Sequence, residues 1–351
     1  MVGVSIPLMS RHHTISPGQT FSNPVTGERF TFTHTAVSTG GELLAFDLAL
    51  RPGGAVPIPH VHPVPAVRFG SRLVSPLADA PVLVLGATGK IGRRVLERLR
   101  AQGIAVRAGS RAAQPRFDWD DRSTWAPALA GAPAAYVPFS PDLAVPGAAE
   151  TVAAFAALAV ASGTRRLVLV SGRGEAGAER AERALQESGV AEWTIVRCSW
   201  FNQNFSESYL LDSVLDGEVA LPVGDVAEPF VDADDIADVA VAALTRDGHA
   251  GCLYELTGPR LLTFPDAVAE IGAAAGRRVG FVSVSMDDYA SAASAAGVPD
   301  DYLWLLRYVF EETLDGRNAS LGDGVRLALG RAPRDFADYA RDVAATGAWR
   351  R

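Results

Sequence analysis

One stretch constrains this chain more than any other: Val82-Leu83-Val84-Leu85-Gly86-Ala87-Thr88-Gly89-Lys90-Ile91-Gly92. Four apolar residues in a row predict a parallel strand covered on both faces. Glycines follow at 86, 89 and 92. In a strand–turn–helix unit the first makes the tight turn, the second lets backbone approach a pyrophosphate, and the third lets the helix pack on the strand. Ile91, Val95, Leu96 and Leu99 give an apolar helix face, and Gly103 is placed to stop the helix. A second strand is predicted over residues 104–108. A dinucleotide-binding turn requires this context, because the free N–H groups and dipole of the helix N-terminus attract phosphate. The residues expected to contact the cofactor here are Gly86, Ala87, Thr88, Gly89, Lys90, Ile91 and Gly92.

The chain has 351 residues, 48% of them apolar. That suffices for one large α/β domain with additions. A net charge of −8 argues against nucleic acid or an anionic membrane surface as partner. No apolar run approaches the ~18–20 residues of a membrane span, and the first residues lack a signal-peptide pattern. The two cysteines, Cys198 and Cys252, lack metal-site spacing, so no metal and a cytoplasmic location are expected.

Residues 1–63 read as a short all-β extension. Strand-like runs near Phe21, Phe30–Thr33 (30–33) and residues 43–48 are broken by Pro-Gly, Asn-Pro and Gly-Gly turns. His60 and His62 would share one strand face. Their G-x5-H-x-H spacing resembles the first metal motif of cupin barrels, without the glutamate and second half that a cupin adds. So short a sheet needs a partner surface, and a homodimer contact through this segment is expected. Residues 64–80 read as a linker. Residues 81–260 read as a nucleotide-binding domain and 261–351 as a smaller, mostly helical substrate region.

Along the larger domain, the second strand ends at Gly109-Ser110-Arg111. An NAD-binding fold places an acidic residue near here for the ribose 2′-hydroxyl. A serine and a guanidinium suit the 2′-phosphate of NADP instead, so NADP(H) is expected over NAD(H), with Ser110 and Arg111 in contact. Phe117-Asp118-Trp119 reads as a short strand end, with Asp118 placed for an adenine edge and Trp119 for its face. Asp121 or Ser123 would cap a helix running to Leu129. A strand at 134–137 ends in Pro138-Phe139. A helix over 148–161 leads to a fifth buried strand, 166–172, whose end, Ser171-Gly172, falls where ligands bind in open α/β sheets. A sixth strand, 193–197, is followed by Ser199-Trp200-Phe201-Asn202-Gln203-Asn204. Ser199, Trp200, Phe201 and Asn204 are candidates to line a pocket for a flat substrate; Trp200 and Phe201 suit the core equally. The carboxylates from Glu228 to Asp235 read as helix caps and dipole partners. Trp304, Tyr308 and Phe310 are candidates to reach the pocket from the C-terminal helices.

Taken in order, Gly86 to Gly92, Asp118, Arg197…Phe201…Asn204, Asp232…Asp235-Ile236-Ala237 and Tyr254 to Pro259 resemble the NmrA-like group of atypical short-chain dehydrogenases/reductases. Bacterial NAD(P)H azoreductase- and quinone-reductase-like members are the nearest in kind. The resemblance spans about 81–345. It implies a Rossmann-type doubly wound parallel sheet binding NADPH or NADH, with a smaller C-terminal substrate region.

Typical short-chain dehydrogenases use a Tyr-x-x-x-Lys pair. Lysine occurs once here, at Lys90, and none of the seven tyrosines precedes it by four. Reducing a simple ketone without an acid leaves an alkoxide, whose conjugate acid has a pKa near ~15.7, roughly 12 kcal/mol uphill at pH 7. A quinone leaves a phenolate-like oxygen, only about 4 kcal/mol uphill. An electron-poor conjugated small molecule is therefore the expected hydride acceptor, with no catalytic residue assigned. Ser171, Ser199 or a pocket tyrosine would be free to polarise it. A non-catalytic NADP(H)-binding sensor is the alternative.

Overall fold

The computed structural model describes residues 80–350 throughout, and three strands before them. Those three, Thr20–Ser22, Arg29–His34 and Ala45–Ala49, form an antiparallel sheet in chain order. His60 and His62 lie outside the described residues. The chain divides into two compact units, Met1–Arg72 and Leu73–Arg351.

The larger unit is built on six parallel strands: β1 (Val82–Leu85), β2 (Val106–Gly109), β3 (Ala134–Val137), β4 (Arg166–Gly172), β5 (Glu192–Cys198) and β6 (Cys252–Leu256). Their order across the sheet is β6-β5-β4-β3-β1-β2. Successive side chains alternate between faces. In β1, Val82 and Val84 pack into one apolar layer with α1 (Lys90–Ala101) and α4 (Ala233–Thr245). Leu83 and Leu85 pack into the other, with α2 (Ala148–Ala161) and α3 (Ala176–Gln186). This is the Rossmann-type doubly wound sheet. Its crossing point is at β1, where the chain goes to β2 on one side and later to β3 on the other.

The expected strand at Phe117 does not form. Residues 110–115 run as turns and bends and 116–118 as irregular chain, with the Phe117 N–H donating to Ser110 O at 2.9 Å. Pro115 within them has no N–H to give a ladder. Residues 166–172 are accordingly the fourth strand of the sheet and 192–198 the fifth. The helical piece that follows starts as expected, with Asp121 accepting from the Ser123 N–H.

A third apolar cluster lies apart from the sheet. It draws Phe205, Leu210, Val219 and Phe230 from one stretch of chain, and Leu262, Phe264, Phe336 and Trp349 from another. The smaller lobe is thus assembled from both sides of residue 260. Its helix Phe264–Ala275 begins with a Thr263/Asp266 capping box and ends at Gly276. A parallel pairing of Glu218–Leu221 with Gly280–Ser283 joins the two stretches. No described helix is long and apolar enough to cross a membrane.

Candidate active site

The C-terminal ends of β1 to β5 open into one cleft of about 750 Å³. The glycine turn forms its floor. Gly86 has φ +57°, a left-handed conformation that favours glycine, and its carbonyl accepts from the Gly89 N–H at 2.8 Å. A Cβ on Gly92 would stand 2.1 Å from Gly86 O, so only glycine lets α1 start this close to the turn. The first turn of α1 carries no acidic residue, and no side chain caps its N–H groups. Those groups are left for an anionic ligand. Thr88, Gly89, Lys90, Ile91 and Gly92 all stand on the cleft wall with Gly86. Ala87 does not. It is 7% exposed and packs in the core beneath the turn.

Lys90 Nζ donates to Asn204 Oδ1 at 2.9 Å, tying the loop after β5 to the start of α1. Burial pulls the Lys90 pKa below its usual value, opposed by Glu207. Asn204 is thereby placed beside the glycine turn, still on the cleft wall.

Ser110 and Arg111 line the cleft past the end of β2, and Arg111 is exposed. Asp118 also lines it, its carboxylate accepting from Arg116 at 2.6 Å and from the Asp120 N–H at 3.3 Å. Arg116 holds that carboxyl below the usual range. Trp119 meets Phe117, Trp125 and Phe155 edge-on, and its indole N–H donates to Pro138 O at 3.2 Å. Phe139 lies 5.0 Å from the Trp119 ring. These residues build an aromatic wall at this end.

At the end of β4 the Ser171 hydroxyl donates to Glu182 Oε1 at 2.6 Å. Glu182 is 2% exposed and also accepts from Arg197 Nε at 2.9 Å, while Arg197 Nη1 reaches Glu255 at 3.0 Å. Ser171 therefore presents its oxygen to the cleft as an acceptor. Gly172 follows, with the Glu175 carboxyl lying where its Cβ would be. Glu175 hydrogen-bonds Asp142; burial raises both carboxyls, Glu175 the more because Asp142 adds its charge.

The loop after β5 divides its aromatic residues. Trp200 lines the cleft and packs edge-on against Phe264 at 5.4 Å. Phe201 lines it too, while packing against the sheet core. Ser199 is 5% exposed. Of the C-terminal aromatics, none reaches the cleft. Trp304 stacks on Tyr308 near the surface, and Phe310 is buried against Trp200 and Tyr289. The π-helical turn Tyr308–Thr313 instead presents Val309 and Thr313, followed by Leu314 and Asn318. A wider turn shifts which residues share a face, and a 3.6-residue period does not foresee it.

Glu228 does not share the helix-capping role expected of it. Asp232 caps α4, accepting from the Asp234 N–H at 2.8 Å, and Asp234 pairs with Arg98. Glu228, grouped with them by sequence, sits in a two-residue strand opposite Leu262, 1% exposed, on the cleft wall. Its Oε1 has no hydrogen-bond partner. Burial pushes its pKa up to about 7, reinforced by Asp315 and opposed by Arg173. Four further cleft atoms are also buried without a partner: Tyr136 Oη, Ser199 Oγ, Trp200 Nε1 and Thr313 Oγ1. Among the described residues no cluster could hold a metal ion.

A glycine turn and uncapped helix at the crossing point of a parallel sheet define a dinucleotide-binding α/β protein. A sequence-family profile described as NAD(P)H-binding matches residues 86–247. An uncharacterized oxidoreductase of Bacillus subtilis, YesF, is 32% identical over 275 residues, covering 76% of this chain and 96% of the relative. An NAD(P)H azoreductase of Xenophilus azovorans is 30% identical over 287 residues, covering 75% and 98%. The NADPH complex of the Escherichia coli quinone oxidoreductase QOR2 has the same fold, with a TM-score of 0.61 at 22% identity, over 75% of this chain and 99% of that one. The chain belongs to the NAD(P)H-binding, NmrA-like family of atypical short-chain dehydrogenases/reductases, and is an NAD(P)H-dependent reductase.

Proposed function

We propose that this chain transfers hydride from NADPH to a quinone-like or otherwise conjugated, electron-poor small molecule. The observation that carries the reading is the shared cleft. Its wall holds the glycine turn together with five buried polar atoms that lack partners. An unpaired buried polar group costs about 1–3 kcal/mol, and a bound molecule that pairs with it removes that cost. In this reading Gly86 and residues 88–92 cradle the pyrophosphate. Ser110 and Arg111 take the 2′-phosphate, and Asp118 and Trp119 border the adenine. Pro138, Phe139, Ser171 and Gly172 border the nicotinamide half. Ser199, Trp200 and Phe201 face the acceptor, with Asn204 at its edge. The sole lysine is bonded to Asn204, and burial pushes the Tyr136 phenol well above its usual pKa, the opposite of what a tyrosine–lysine pair achieves. A conjugated acceptor, whose charge is delocalised on reduction, suits such a site. The azo and quinone acceptors in the names of two of the similar proteins are of that kind.

The test is a paired one. NADPH and NADH are titrated by fluorescence, and NADPH absorbance is then followed with 1,4-naphthoquinone. Tight NADPH binding with turnover is expected. Binding without turnover across quinones and azo dyes would point to a dinucleotide sensor, and binding of neither nucleotide would overturn the reading. Arg111→Ala is expected to weaken NADPH roughly tenfold or more, the loss of one charge-assisted bond, and to leave NADH nearly unchanged. Equal losses for both would remove Arg111 as the 2′-phosphate partner.

A further inference from the structure

The absence of a tyrosine–lysine pair leaves open what protonates the reduced acceptor. Three acids whose pKa burial raises stand on the cleft wall, Asp142, Glu175 and Glu228. Asp142 and Glu175 are hydrogen-bonded to each other. Glu228 differs. Its residue is 1% exposed, one carboxyl oxygen has no partner, and it shares the wall with the unpartnered Ser199 and Thr313 hydroxyls. The cation whose field reaches it, Arg173, is engaged elsewhere. Its guanidinium donates to Asn318 O and Ser320 O, each at 2.8 Å, and to Ser320 Oγ at 2.7 Å, and it pairs with Glu255 at 3.5 Å. Asp315, the other charged group acting on Glu228, is an anion and favours the neutral acid. An acid kept neutral in a cleft is equipped to donate, where an ionised one is not.

We infer that Glu228 is the proton donor of this site, giving its proton to the conjugated heteroatom of the acceptor. The inference rests on the reductase reading above. Bound NADPH supplies the hydride and leaves as NADP+, oxidised by two electrons. The acceptor gains that hydride with its electron pair at the electron-poor end of the conjugated system. The Glu228 O–H bond breaks as the heteroatom at the other end takes the proton. The acceptor is reduced by two electrons, and Glu228 is left as a carboxylate that regains a proton from water.

Three measurements on the full chain test this. In wild type, kcat for 1,4-naphthoquinone is expected to fall as pH rises through about 7, where Glu228 ionises. Glu228→Gln is expected to lower kcat by roughly 10²–10⁴-fold at pH 6, the usual contribution of a general acid, to lose that pH limb, and to bind NADPH as wild type does. Glu228→Asp, which keeps an acid, is expected to recover part of the loss. The third readout needs no turnover: infrared difference spectra should show a protonated carboxyl titrating near pH 7 in wild type and absent from Glu228→Gln. A Glu228→Gln protein with kcat within about threefold of wild type and an unchanged pH limb would overturn the inference. So would a Glu228 carboxyl already ionised at pH 5. Failure of wild type to bind NADPH or turn over would instead remove the reductase reading, and the infrared titration would still decide the state of Glu228.

Discussion

Glu228 and Arg197 show how single buried charges shape this protein. In the folded chain burial holds the Glu228 proton up to about pH 7, whereas an unfolded chain loses it near pH 4.5. Below the lower value both states are protonated and the group has no effect on stability. Between the two values the folded state binds the extra proton, so stability falls as pH rises, by about 1.4 kcal/mol per pH unit. Glu228→Gln cannot ionise. It is expected to be more stable than wild type by about 3 kcal/mol or slightly more at pH 8, with the gap closing towards pH 4.5. Urea unfolding of both proteins at the two pH values checks this, and a gap independent of pH would count against it. Arg197 acts in the other direction, neutralising Glu182 beneath Ser171. Arg197→Met leaves a buried, uncompensated carboxylate and should cost about 3–5 kcal/mol in the same assay. Neither role was legible locally. Glu228 stands four residues before Asp232, so a linear reading assigned it to the helix start. Only the intervening residues carry it into the cleft, with Val231 buried in one apolar cluster and Phe230 in another.

The glycine turn is the element whose reading needed least help. Strand β1, helix α1 and the three glycines are coupled within eleven residues, so local sterics decide them. Gly92→Ala is expected to force α1 away from Gly86 O, which its Cβ would otherwise meet at 2.1 Å. A loss of about 1–3 kcal/mol by thermal unfolding, together with NADPH binding weakened at least roughly tenfold, is the expected result. Unchanged binding would mean that the turn is architecture alone. Helix α2 forms over Ala148–Ala161, the expected bounds. The stretch at Phe117 does not form as expected. Its apolar residues fit a strand end, but Phe117, Trp119, Trp125 and Phe155 satisfy one another as an aromatic cluster, and ring packing replaced ladder formation. The π-helical turn at Tyr308–Thr313 likewise has no local signature, because the neighbours that favour it come from distant segments.

Across the whole molecule, Leu73–Arg351 forms its own compact unit, and about three quarters of the chain suffices to match 96% and 98% of the two relatives' lengths. Residues 73–351 alone are therefore expected to fold and to bind NADPH with a Kd within about twofold of the full chain, which calorimetry would check; at that ratio the difference is below about 0.5 kcal/mol. If the first unit forms the expected dimer contact, sedimentation should show a dimer for the full chain and a monomer for the shortened one. The same state for both would remove that role. The chain's own order of residues determined the sheet, the nucleotide-binding end of the cleft and the lack of a tyrosine–lysine pair, because strand periodicity, glycine sterics and a single lysine are local or compositional facts. The acceptor end was decided only by tertiary structure. Its wall joins the loop after β5, a two-residue strand at Glu228 and a turn near residue 313. Burial and the lack of a partner, which give those side chains their chemistry, are properties of the packed whole.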